Sequence, residues 1–138
     1  MTTDQLPGVV PEQWALGDWM VPKGRYLDPE YLALENERLF PNIWQMACRE
    51  EELTEPGSFY EYTIGDQSIL VVRQPDGSIA AMHNSCAHRG MKIIAGSGRV
   101  DEFRCRFHGW RYNTEGSNTF MFMEEEFGER PASCNNLQ

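Results

Sequence analysis

The chain has 138 residues, 41% of them hydrophobic and 12% aromatic, which suits one folded domain with one core and excludes a disordered segment. Its 21 acidic and 12 basic residues leave a net charge of −9, which argues against a nucleic-acid-binding surface and against an anionic membrane surface. The start of the chain has no basic region followed by an apolar run, and the longest apolar run, residues 69–72, is far too short to span a bilayer, so a soluble, cytoplasmic protein without a signal peptide is expected.

Residues 1–27 hold Pro7, Pro11 and Pro22 with Trp14 and Trp19 in no clear period, and read as an arm that packs by isolated aromatics. A helix follows. Asp28 can cap it, Pro29 suits its first position and Glu30 favours its positive end, while Pro41 stops it. Tyr31, Leu32, Leu34, Leu39 and Phe40 make an apolar side, expected to face a core.

The pattern then changes to β-branched and aromatic segments at 44–48, 58–64 and 68–73, separated by Glu55-Pro56-Gly57 and Gly65-Asp66. Gln74-Pro75-Asp76-Gly77 predicts a turn, and residues 78–83 resume the sheet. Short strands at 103–105, 110–112 and 119–123 come later, with a turn at 113–116. Such short antiparallel strands joined by tight turns indicate a mostly β sandwich or barrel. The acidic run 124–126 reads as a solvated face, and the polar tail after Gly128 is expected to fray.

Chemistry concentrates between these strands. Cys86-Ala87-His88-Arg89-Gly90 and Cys105-Arg106-Phe107-His108-Gly109-Trp110 offer two clamps, each with one Cys and one His, separated by sixteen residues (89–104). Thiolates select iron-sulfur clusters, zinc or Cu(I), and imidazole also serves iron. Mixed pairs fit a [2Fe-2S] cluster in which one iron keeps two Cys and the other takes two His. The competing reading is a Cys2His2 zinc site, but zinc knuckles usually pair ligands of one kind. Gly90 and Gly109 allow tight turns after each clamp, and Trp110 is placed to shield a cluster from water.

Other residues give weaker signals. His83 reads as a strand-end histidine and not a ligand, Cys48 as a small buried hydrophobe, and Cys134 as a free thiol in the tail. Gly96-Ser97-Gly98 lacks the third glycine of a dinucleotide fingerprint, so no flavin or nicotinamide site is evident.

The two clamps with their flanks resemble the loops of the Rieske domain in the large (alpha) subunits of aromatic-ring-hydroxylating, Rieske non-haem iron oxygenases, which read CxHRG and CxxHGW. Respiratory Rieske proteins carry an extra Cys in each loop and a Ser after the second His, and these are missing here. The resemblance covers about 26–127 and is specific over 84–110. It implies a small antiparallel Rieske-type sandwich or barrel with two cluster-binding loops, preceded by an arm and one helix. It further implies that Cys86 and Cys105 hold one iron of a [2Fe-2S] cluster and His88 and His108 the other.

The organisation expected on this basis is an arm and helix at 1–43, a Rieske domain at 44–127 and a polar tail at 128–138. The family's catalytic domain, with its mononuclear Fe(II), is missing. That iron needs two His and a carboxylate, and three histidines less the two in the clamps leave only His83, so no oxygen-activating or other catalytic residue is assigned.

The implied function is one-electron transfer. The donor is a ferredoxin or flavin reductase, and the acceptor is the catalytic domain of a neighbouring subunit in a trimer acting on an aromatic or related apolar compound. A stand-alone Rieske ferredoxin is the alternative, and a zinc-stabilised interaction module the third reading. With Gly109-Trp110 after the second clamp, a low potential is expected, roughly −150 mV.

Overall fold

The computed structural model describes residues 12–15, 20–128 and 131–138. Pro7, Pro11 and Trp19 of the expected arm lie outside them. The chain divides into two compact units, Met1–Gln45 and Met46–Gln138. Among the described residues no helix is long and apolar enough to cross a membrane.

In the first unit a short turn at Glu12–Trp14 is followed by helix α1 (Gly24–Leu27) and helix α2 (Pro29–Leu34). The Asp28 carboxylate accepts the Glu30 N–H at 2.9 Å and Pro29 occupies the first turn, as the sequence predicts. Beyond Leu34 the coil widens to a π-wound turn, Glu35–Leu39, then tightens into a 3-10 turn, Phe40–Asn42, that includes Pro41. The expected core face differs: none of these helical residues is buried, and Leu32 remains 51% exposed. The helix is too short, and its unit too small, to enclose that stripe.

The second unit is built from two antiparallel sheets. Strands β1 (Ser58–Ile64), β2 (Gln67–Arg73), β3 (Ile79–His83) and β4 (Ser97–Arg99) form the larger, in the order β3-β2-β1-β4. Strands β5 (Phe103–Arg104), β6 (Arg111–Tyr112) and β7 (Asn118–Phe120) form the smaller, in the order β5-β6-β7, and the sheets do not close into a barrel. The fold is mostly β and antiparallel, as expected.

Turn chemistry sets the register of the larger sheet. Asp76 Oδ1 accepts the Ser78 N–H at 2.9 Å and Gln74 N–H donates to Ser78 O at 2.8 Å, which closes the turn between β2 and β3. Phe59 is thereby paired with Val72, and Leu70 with Met82, so alternate residues point the same way into the core. Phe103 and Tyr112 of the smaller sheet join them, and the rings of Phe59 and Phe103 meet edge to face at 5.9 Å. Burying one such ring is worth ~1.5–3 kcal/mol.

Four expectations need correction. Residues 44–48 form no strand: they join neither sheet, and with Trp44 and Met46 exposed they bury no apolar face that would hold them extended against one. Cys48 is half-buried and not a core residue; burial, then the Glu52 carboxylate, push its thiol up. The last strand stops at Phe120, after which the chain turns through Met123, with a positive φ of 57°, into a 3-10 turn at Glu124–Phe127.

The tail is the fourth correction, for it is tied down rather than frayed. Leu137 enters the core at 8% exposure, its N–H donates to Gly116 O at 2.8 Å, and Asn136 Oδ1 accepts the Asn118 N–H at 2.9 Å. One apolar side chain with a matching cavity is enough to dock a segment whose composition is polar. Cys134 is exposed and free, as expected.

Candidate metal centre

Two loops carry the chemistry, and they are built alike. After β3, the Cys86 N–H donates to Met91 O at 2.9 Å while Cys86 O accepts the Gly90 N–H at 2.8 Å. Between β5 and β6, the Cys105 N–H donates to Trp110 O at 2.8 Å while Cys105 O accepts the Gly109 N–H at 3.0 Å. Each loop is thus a small ring closed by a pair of backbone bonds with cysteine at its base. Both closing turns need a left-handed residue, supplied by Gly90 at φ 68° and Gly109 at φ 74°.

The predicted donors meet in two pairs, histidine with histidine and cysteine with cysteine. The rings of His88 and His108 lie 4.6 Å apart at 61°. Cys86 and Cys105 are 3% and 2% exposed, and the Cys105 thiol stands beside that of Cys86. His83, the remaining histidine, stays exposed at the end of β3, where its N–H donates to Gln138 O.

Aromatic rings wall the site. Trp110, fully buried, lies flat on His88 with centroids 5.1 Å apart, and Phe127 stands edge-on to both rings, at 5.4 Å from His88 and 5.2 Å from Trp110. Phe107 leans on His108 at 3.9 Å and is itself 57% exposed. One face of the centre is therefore dry, and the other approaches the surface.

Hydrogen bonding favours anionic sulfur. The Tyr112 hydroxyl oxygen accepts the Ala87 N–H at 3.1 Å and lies 3.1 Å from Cys86 Sγ. With its oxygen engaged as acceptor, Tyr112 has its own proton left to donate to the sulfur. Burial, then the Cys86 thiol, push the tyrosine well above its usual range. Burial pushes the Cys86 thiol up as well, against the lowering effect of Tyr112, and the neighbouring Cys105 adds to the rise.

Two adjacent buried thiols with two imidazoles make a donor set that suits an iron-sulfur cluster or another soft metal. His108 Nδ1 is buried with no hydrogen-bond partner, the condition of a nitrogen reserved for a ligand. Among the described residues no three His, Cys, Asp or Glu side chains close on one metal point. A single zinc needs four donors around one centre, whereas a two-iron cluster needs two donors per iron.

Sequence reasoning missed three residues. Tyr112 reads only as a strand residue until Ala87 and Cys86 are seen beside it. Phe127 follows an acidic run, which hides its place over His88. Asn84 is buried beneath the first loop, and its partners lie ten and sixteen residues away.

Residues 43–121 match the family description Rieske [2Fe-2S] domain. The chain is 40% identical over 102 residues to the chlorobenzene dioxygenase subunit alpha of Cupriavidus sp. (strain PS12), covering 73% of this chain and 23% of that one. It is 35% identical over 96 residues to the chloroplastic choline monooxygenase of Spinacia oleracea, covering 70% and 22%. Among solved structures, naphthalene 1,2-dioxygenase from Rhodococcus sp. bound to indole superposes with a TM-score of 0.78 at 33% identity, covering 88% of this chain and 28% of that one. The chain spans about a quarter of the length of these relatives, in their N-terminal domain. Its two clamped loops, its pair of antiparallel sheets and these likenesses together make the chain a member of the Rieske [2Fe-2S] domain family, akin to the N-terminal domains of oxygenase alpha subunits.

Proposed function

We propose that Cys86 and Cys105 hold one iron of a [2Fe-2S] cluster and His88 and His108 the other, and that the chain is the electron-transfer portion of an oxygenase large subunit. The observation that carries this reading is the buried, unpartnered Nδ1 of His108 on the loop of Cys105, whose thiol adjoins that of Cys86. When bound, such a cluster takes up and releases one electron. The chain's own residues do the rest. Tyr112 donates to Cys86 Sγ, the two backbone rings fix the cysteines, and Trp110 with Phe127 keeps water from His88.

The proposed donor is a ferredoxin or a flavin reductase. The proposed acceptor is the mononuclear Fe(II) of a catalytic domain in a neighbouring subunit, in a trimer, in the cytoplasm. The substrate class we propose is an aromatic or related apolar compound. Its support is the run of relatives named as benzene and chlorobenzene dioxygenases. A route for docking is offered by Arg89 and Arg106, exposed on the two loops, and Arg104, exposed at the end of β5, in a chain of net charge −9.

A second reading, a stand-alone Rieske ferredoxin, draws on the tail: Leu137 closes the core of the second unit from within the same chain. Steady-state reduction by a purified reductase and ferredoxin pair, followed by mixing with an oxygenase lacking its own cluster, separates the two. A carrier restores turnover in that mixture, whereas a domain of a large subunit is reduced but restores none.

A further inference from the structure

The two loops differ in what fixes their ends. The second loop leaves β5 and returns along β6, which are paired directly (Phe103 with Tyr112, Arg104 with Arg111), so a ladder clamps its base. The first loop leaves β3 and returns along β4, and these strands lie at opposite edges of their sheet with β2 and β1 between them. No ladder can close it. The ring of backbone bonds at Cys86 closes the tip, and a backbone bond from Glu61 N–H to Gly96 O at 2.7 Å holds the far end, which leaves the stretch between them to be fixed to the sheet.

A buried amide fixes that stretch. Asn84, 3% exposed, accepts the N–H groups of Ile93 at 3.1 Å and Ile94 at 3.2 Å through Oδ1. Through Nδ2 it donates to Ile94 O at 2.6 Å and to Ser68 Oγ at 3.1 Å. Its own N–H donates to Ser68 O at 2.8 Å, which moors it to β2. Four side-chain bonds use both ends of the carboxamide, so no isosteric residue repeats the pattern: Asp lacks the donors and Leu lacks everything.

The tie is itself braced. Ser68 Oγ donates to Glu61 Oε1 at 2.9 Å, and the same oxygen takes Lys92 Nζ at 2.6 Å. Glu61 Oε2 takes the Gly96 N–H at 2.8 Å. Lys92 and Gly96 belong to the returning half of the loop, so the brace grips that half from β1.

We infer that Asn84, braced by Ser68 and Glu61, is the positioning residue of the first clamp, replacing the missing strand ladder and holding Cys86 and His88 at a fixed reach from Cys105 and His108. This rests on the cluster reading of those four residues. Asn84 touches neither metal nor electron; it acts through the loop that it closes. Removing it leaves the ligands present but the clamp loose.

The test compares the as-purified chain with Asn84→Ala, Asn84→Asp and Ser68→Ala, with Asn42→Asp in the first unit as control. Hydrogen exchange read by mass spectrometry should show the segment 91–96 exchanging about tenfold faster in Asn84→Ala, with β1 and β2 unchanged, the scale of one lost buried hydrogen bond. Asn84→Asp, which keeps the two acceptor bonds, should fall between it and the parent, and Ser68→Ala should shift the same way by less. In the same variants iron release to a ferrous chelator should speed up by about tenfold and the EPR lines of the reduced protein should broaden.

Unchanged exchange at 91–96 together with unchanged iron release in Asn84→Asp and Ser68→Ala would overturn the inference, whether or not Asn84→Ala folds. Faster exchange with unchanged iron release and line shape would overturn it too, leaving Asn84 a structural residue only. Failure of the cluster reading looks different: the parent chain itself would then hold no iron or sulfide.

Discussion

Trp110 lies parallel to His88, with ring planes 8° apart and centroids 5.1 Å apart, while Phe127 abuts both edge-on. The indole belongs to the second clamp and the imidazole to the first, so this stack joins the two loops as well as covering them. Trp110→Ala removes a fully buried ring and should destabilise the second unit by ~3–5 kcal/mol in denaturant unfolding. Iron should still load, but a chelator should strip it faster than from the parent. A variant as stable as the parent would show that the stack contributes little.

The hydroxyl of Tyr112 lies 3.1 Å from Cys86 Sγ, placed to donate to it. A hydrogen bond to sulfur stabilises the more negative, reduced state, so Tyr112→Phe should lower the midpoint potential. One bond of net worth ~0.5–1.5 kcal/mol corresponds to a fall of roughly 20–65 mV for a one-electron couple. Redox titration followed by EPR reads it directly, and a rise in potential would contradict the assigned donor.

Glu61 gives the fold a pH signature. The hydrogen bond from Lys92, then that from Gly96 N–H, hold its carboxyl at about 2, below the value of 4.5 for a free glutamate. The folded state therefore binds this proton less readily than the unfolded chain does. Its contribution is fully present above about pH 4.5 and disappears as pH falls through about 2. Unfolding curves of the parent and Glu61→Gln should differ by a constant amount above that window and converge within it. Curves that stay parallel down to the lower limit would rule the linkage out.

The sequence disclosed the site better than its supports. A cysteine and a histidine two or three positions apart, followed by glycine, state their chemistry locally, and the loops close as those glycines require. The strands at β1, β2 and β3 were legible from alternation and from the Gly65-Asp66 and Pro75-Asp76-Gly77 turns. β4 was not, since Ser97-Gly98-Arg99 has no strand propensity of its own; it is a strand because it pairs with β1, Gly98 opposite Phe59. Residues 44–48 have the composition of a strand but join neither sheet. Asn84 and Leu137 act across distances that no local pattern records.

Leu137 tests the last point. Its side chain meets the core cluster, its own N–H donates to Gly116 O, and the side chain of its neighbour Asn136 accepts the Asn118 N–H. Leu137→Ala should cost ~2–5 kcal/mol of stability, read as a lowered denaturant midpoint with an unchanged slope. A tail that frays would show no change.

The ligand set is tested most directly by EPR of the anaerobically purified, dithionite-reduced chain, with iron and acid-labile sulfide counted on the same sample. The account predicts two irons and two sulfides per chain and a rhombic signal averaging near g of about 1.9, as a reduced cluster with two Cys and two His gives. It also predicts loss of both iron and signal in Cys86→Ser and Cys105→Ser, whereas His88→Cys or His108→Cys should keep a cluster at lower potential. A colourless, EPR-silent parent chain carrying zinc, or full iron and sulfide in either serine variant, would contradict it.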